Sequence, residues 1–167
     1  MGTSNWTSLA EWIAAFRRLH EGAREGGLDA AALGAYEQER EALAQALLTA
    51  QRLSVRLGQT ARQALRVALA LPVELALGEP VSTTTIDLAV GGFAVLLAKP
   101  LRVSQSVDFA LHLEAQAEVL RGRARVVSLQ RKGKPFRVAL AFEALSAAQT
   151  RSVSLEVFET ALTRVPR

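Results

Sequence analysis

Arg62 and Arg66 stand one helical turn apart in spacing, and Asp87, Ala89, Gly91 and Gly92 fall together in the short segment Asp87-Leu-Ala-Val-Gly-Gly92. A guanidinium forms paired hydrogen bonds with phosphate oxygens or with the O6 and N7 edge of a guanine. A carboxylate does the reverse and accepts from N–H donors. Two glycines after a strand allow φ > 0 and let a flat group come close to the backbone. Each type also has a plainer reading, since paired arginines line many solvated helices, an aspartate caps turns and Gly-Gly shapes them. Residue types alone leave both readings open.

Other chemistries lack their residues. The 167-residue chain has no cysteine and only two histidines, His20 and His112, which leaves no thiolate zinc site, disulfide or polyhistidine metal centre to expect. His112 alternates with apolar neighbours as an outward strand residue, and no Ser, Asp or second His pairs with it recognisably. Without a nucleophile beside a base, or a phosphate-binding loop opening a helix, an enzyme is not expected. No apolar run reaches the ~18 residues of a membrane span, and the N-terminus lacks the basic-then-apolar order of a signal peptide. The expected location is therefore the cytoplasm, with no membrane insertion.

The elements that must hold these residues change character along the chain. Ser8 and Glu11 have capping-box spacing, and Trp6, Leu9, Ile13, Phe16 and Leu19 make a helical stripe that ends near Gly26-Gly27. Asp29 caps a second helix, with Leu28 and Leu33 as its hydrophobic staple. Leu43, Ala46, Ala50, Leu53 and Leu57 approximate a heptad seam on it, which fits either a hairpin with the first helix or a coiled coil between protomers. At Leu71-Pro72 proline excludes a continuing helix and the period becomes two. Strand patterns follow at 73–77, 81–88, 93–98, 107–114, 118–129 and 136–142. A second capping box, Ser146 and Gln149, opens a last helix bearing Val153, Val157 and Leu162.

Half of the residues are hydrophobic and 22% are charged, as in a globular chain with a real core. The net charge of +4 is uneven, because residues 1–61 carry six basic and seven acidic side chains and residues 62–167 fourteen and nine. Arg121, Arg123, Arg125, Arg131, Lys132, Lys134 and Arg137 lie in a stretch without an acid. We read it first as a solvated face, next as phosphate steering, and last as a nucleic-acid surface, which would need more stacking aromatics than Phe136.

Arg62-Gln-Ala-Leu-Arg66, the Leu71-Pro72-Val73 strand start and Asp87-Leu-Ala-Val-Gly-Gly92 together resemble the two-part signature of the PilZ domain, R-x-x-x-R followed by [D/N]-x-S-x-x-G. Gly122-Arg-Ala-Arg-Val-Val127 and Phe136-Arg-Val-Ala-Leu-Ala-Phe142 are similar to that family's closing strands. The resemblance covers about residues 62–160. It implies an α+β fold in which a six-stranded antiparallel β-barrel carries an N-terminal helical hairpin and a C-terminal helix. The implied division is a helical region at 1–61, for oligomerisation or signalling, and a barrel domain with its helix at 62–167.

The resemblance also implies a ligand, the bacterial second messenger cyclic di-GMP, held by Arg62, Arg66, Asp87, Ala89, Gly91 and Gly92 without any metal or further cofactor. The arginines would serve its phosphates and guanine edges, and Asp87 the guanine N1 and N2 donors. Ala89 departs from the family pattern, because a serine there would supply a hydroxyl. One neutral hydrogen bond is worth ~0.5–1.5 kcal/mol, so its loss weakens binding several-fold. The expected function is a regulatory module that couples the nucleotide to the N-terminal helices and through them to a homo-oligomer or a protein partner. The alternative is an adaptor acting in motility or pilus function without a ligand.

Overall fold

A computed structural model of the chain describes residues 8–53, 64–131 and 133–164. The chain forms two compact units, one built from the N-terminal helices and the last residues of the C-terminal helix from Ala161, the other from Ala64–Thr160.

In the first unit, α1 (Leu9–Arg24) begins where Ser8 accepts a hydrogen bond from the Glu11 backbone N–H at 3.2 Å. It ends at Gly26, whose φ of 68° a side chain would resist. The second helix, α2 (Ala30–Leu53), starts where Asp29 Oδ1 accepts from the Ala32 N–H at 2.8 Å. The two helices pack as a hairpin. Phe16 stacks on Tyr36 with ring centres 5.6 Å apart, and buried His20 sets Nδ1 3.0 Å from the Tyr36 hydroxyl. The Trp12 indole N–H donates to Glu39. Of the expected heptad seam Leu43 is buried, whereas Ala46 and Ala50 are exposed and Leu48 is buried in their place. Leu57 and Trp6 lie outside the described residues.

The second unit contains seven strands: β1 (Arg66–Val67), β2 (Pro72–Leu77), β3 (Glu79–Ala89), β4 (Gly92–Leu97), β5 (Ser106–Leu113), β6 (Glu118–Arg131) and β7 (Phe136–Glu143). The order β3-β2-β5-β6-β7-β4 closes on itself through β3–β4 pairing, giving a six-stranded antiparallel barrel. Closure leaves none of those six strands as an open edge. Alternation along each strand fills the interior: Leu75, Leu111, Leu120, Val126, Val138 and Leu140 are almost fully buried. Phe93, Phe109 and Phe142 meet there with ring centres 5.4–5.6 Å apart.

One expectation fails at the entry to the barrel. Helical character does not run up to Leu71-Pro72, because Arg66 and Val67 are already extended and pair with Ala89 and Leu88 of β3. Leu65 and Val67 are both buried, so period-two burial against the end of β3 prevails over the helical spacing of the arginines. The strand 81–88 also starts earlier than expected, at Glu79, since Gly78 at φ 92° turns the chain tightly enough for Glu79 to pair with Leu77.

The helix α3 (Ala147–Thr163) opens with a complete capping box: Gln149 N–H donates to Ser146 Oγ at 3.1 Å, and Ser146 N–H to Gln149 Oε1 at 3.0 Å. Val153, Val157 and Leu162 are buried as their spacing implied. The β5–β6 turn is tied to this helix, where the Ala115 N–H donates to the Glu156 carboxylate at 2.8 Å. No helix among the described residues is long and apolar enough to cross a membrane.

Candidate ligand-binding surface

The outer face of the barrel around the end of β3 is assembled by register. Leu88 faces the interior with its partners Phe93 and Val67, so alternation turns Asp87 and Ala89 to the opposite face. A one-residue bulge at Ile86, where the β3–β4 register shifts between Thr85 and Asp87, lets both buried Thr85 and outward Asp87 keep these facings. Beside them on the same face the pairing brings Arg66 opposite Ala89, Gly92 opposite Ala89 and Ala141, and Ala94 opposite Asp87 and Ala139. A floor of small residues is flanked by charged ones.

Asp87 is the centre of the charge. Arg137 of β7 donates from Nη2 to Asp87 Oδ2 at 2.6 Å, and Arg66 places Nη1 3.5 Å from Asp87 Oδ1. The Asp87 side chain is only 14% exposed and that of Arg137 20%. Among the described residues Oδ1 is buried and accepts no hydrogen bond, Arg66 being at ion-pair distance without bonding geometry. A buried carboxylate oxygen left in this way costs about 1–3 kcal/mol or more, and such exceptions in a folded chain call for a reason.

Of the residues expected from the sequence, Arg66, Asp87, Ala89 and Gly92 are brought together on this face, Gly91 sits in the adjoining β3–β4 turn, and Arg62 lies outside the described residues. The glycines need correction in their reasons. Neither Gly91 nor Gly92 has a positive φ. Gly92 is required instead by close approach within the barrel, since a Cβ there would lie 2.0 Å from the Leu140 carbonyl oxygen of β7. Gly91 contributes its carbonyl, which accepts from the Phe142 N–H at 2.9 Å.

Arg137 was missed as a member of this group, because in sequence it belongs to the basic stretch and stands 50 residues from Asp87. Its outward position between Phe136 and Val138 was readable; its partner was not. Elsewhere in that stretch the described basic side chains are exposed, and two of them are paired. Arg123 bonds Asp108 at 3.2 Å, and Arg125 bonds Glu143 at 2.6 Å, holding that carboxyl below its ordinary range with help from Ser106. Lys132 lies outside the described residues. His112 is exposed on β5, facing outward as its alternation implied. A cleft of about 640 Å³ at the other end of β3 and β4, lined by Leu77, Val81, Leu97, Lys99 and Arg102 among others, contains none of the expected residues.

Comparison with known proteins gives the fold a family. No curated protein matches the chain in sequence. Among solved structures it is similar to the Bacillus subtilis inhibitor of motility MotI/DgrA, at TM-score 0.56 and 20% identity over 64% of this chain and 54% of that one. It is similar to the PilZ domain, solved with c-di-GMP, of YcgR from Escherichia coli, at TM-score 0.51 and 20% identity over 61% and 92%. The K. pneumonia MrkH–c-di-GMP complex is matched at TM-score 0.50 and 13% identity over 63% and 54%. The matches thus span about half the length of MotI/DgrA and of MrkH. At these identities the likeness is one of fold. The PilZ domain model itself matches residues 60–159, more than half of the chain, and on that ground the chain belongs to the PilZ family.

Proposed function

We propose that the chain is a cyclic di-GMP receptor module, with Arg62, Arg66, Asp87, Ala89, Gly91 and Gly92 as its ligand surface. The observation that carries the reading is the buried Asp87 Oδ1, unbonded among the described residues, on an outer barrel face beside Arg66. That oxygen is an acceptor suited to the N1 and N2 donors of a guanine, and the nearby guanidinium suits a phosphate or the guanine O6 and N7 edge. Family membership and the c-di-GMP complexes of YcgR and MrkH support it. The residues at 89, 92 and 94 place nothing larger than a methyl on this face between the charges.

In this reading the protein is a soluble cytoplasmic regulator and performs no chemistry on the nucleotide. Binding draws Arg66 from Asp87, and the segment leading into β1 carries that displacement to the helical region at 1–61, which meets a protein partner or a second copy. A second reading, a PilZ adaptor acting in motility or pilus function without nucleotide, is favoured by Ala89, which offers no hydroxyl. Titration calorimetry with cyclic di-GMP separates the two. The receptor reading expects saturable heat from the wild type, weakened at least tenfold by Arg66→Ala through loss of a charge-assisted bond worth about 1.5–3 kcal/mol. Folded wild-type protein that gives no heat at high micromolar nucleotide leaves the adaptor reading standing.

A further inference from the structure

Among the described residues two arginines address Asp87, and they are not equivalent. Arg66 belongs to a strand of two residues that pairs, among the described strands, with β3, and its guanidinium reaches Oδ1 at 3.5 Å without hydrogen-bonding geometry. Arg137 belongs to β7, an eight-residue strand paired on both sides within the closed barrel, and bonds Oδ2 at 2.6 Å. Its side chain must cross β4 to do so, since Arg137 is opposite Leu96 and Asp87 opposite Ala94. Ala94 between them is small, and it is fully buried.

We propose that Arg137 is a positioning residue for ligand binding: by saturating Asp87 Oδ2 from the barrel wall it fixes the carboxylate so that Oδ1 alone is presented to the ligand. The inference rests on the cyclic di-GMP reading above and adds a division of labour to it. Arg66 is the exchangeable partner, displaced from Oδ1 by guanine N–H donors, while Arg137 stays on Oδ2 in both states. A carboxylate released from Arg137 can rotate about its last bond and turn both oxygens to Arg66, so the acceptor is lost to the ligand without any change in the residues that touch it. Holding a ligand group before binding saves the ordering cost at the moment of binding.

The test is a double-mutant cycle on the full chain, read by calorimetry with cyclic di-GMP. Arg137→Met keeps an unbranched aliphatic side chain and removes the charge, and Asp87→Asn keeps an acceptor oxygen so that residual binding stays measurable. We expect Arg137→Met to weaken binding roughly tenfold in the wild-type background, the scale of one charge-assisted hydrogen bond. In the Asp87→Asn background it should weaken binding less than twofold, because there is no longer a carboxylate to orient. Arg137→Lys, which keeps a cation but lacks the fork, should recover part of the loss. Thermal melting of each variant shows that the barrel is intact. Wild-type affinity in Arg137→Met overturns the inference, as does an equal loss in both backgrounds, which would place Arg137 on the ligand itself. If the wild type itself gives no heat, the cyclic di-GMP reading falls and takes this inference with it, an outcome separate from the other two.

Discussion

Ala89 is the position where the chain departs from the PilZ pattern, and its placement gives that departure a physical meaning. Its methyl is turned to the same outer face as Asp87, between Arg66 and Gly92 in register, and is only 4% exposed. A hydroxyl there has little water to give up, so a bond to the ligand is nearly all gain. Ala89→Ser is therefore expected to tighten cyclic di-GMP several-fold, at ~0.5–1.5 kcal/mol for a neutral hydrogen bond, when measured by calorimetry. An unchanged affinity would mean that the ligand does not reach this side chain. Asp87 illustrates the opposite case. Its residue type shows an acceptor, but the role proposed for it depends on which oxygen Arg137 occupies, a distinction that exists only in three dimensions.

Among the elements, β1 and the segment after it decide how firmly Arg66 is held. Thr85, buried in β3 just before the bulge, accepts the Leu71 N–H on its hydroxyl at 3.0 Å and donates to the Leu69 carbonyl, while its own N–H donates to the Leu71 carbonyl at 2.9 Å. One side chain thus pins the link between β1 and β2 to the barrel. Thr85→Val keeps the shape and removes the hydroxyl, stranding a donor and an acceptor, and should destabilise the chain by about 2–4 kcal/mol in urea denaturation. A midpoint shift corresponding to less than about 0.5 kcal/mol, the level of an ordinary surface substitution, would show that water replaces both bonds. The helices follow simpler rules. Ser8, Asp29 and Ser146 all cap where their spacing indicated, because a cap depends on residues within one turn of it.

At the scale of the whole molecule, α3 is tied to the β5–β6 turn through an acid placed where acids are uncommon. Glu156 is 3% exposed and accepts from the Ala115 N–H. Burial raises its pKa above the ordinary value of 4.5, the backbone N–H of Ala115 opposes this, and the nearby Glu114 carboxylate adds to the rise. The folded chain therefore holds a proton that the unfolded chain has released, in the window from about pH 4.5 up to the raised folded value. Stability from this group is fully present below the window and declines as pH increases through it. Glu156→Gln keeps an acceptor for Ala115 and cannot titrate, so its stability relative to wild type should rise with pH across the window and level off above it. Urea midpoints of both proteins at a series of pH values measure this, and a difference independent of pH would contradict it.

Strands, caps and turns were legible in neighbouring residues, because period-two burial and capping are local patterns, whereas the closed six-stranded barrel was implied by the PilZ resemblance, and Arg66, Asp87, Ala89 and Gly92 were legible as types and spacings. The sequence misjudged the entry to the barrel, where Leu65 and Val67 had no visible partner until β3 supplied one. It also gave Gly92 a conformational reason in place of a packing one, since the Leu140 carbonyl that excludes a side chain arrives from β7. The meeting of Arg137 and Asp87 became visible only once the strands were paired in the closed barrel. Their contact passes over β4 between strands far apart in the chain, and no local pattern records which outward residues a closing barrel will bring within 2.6 Å of each other.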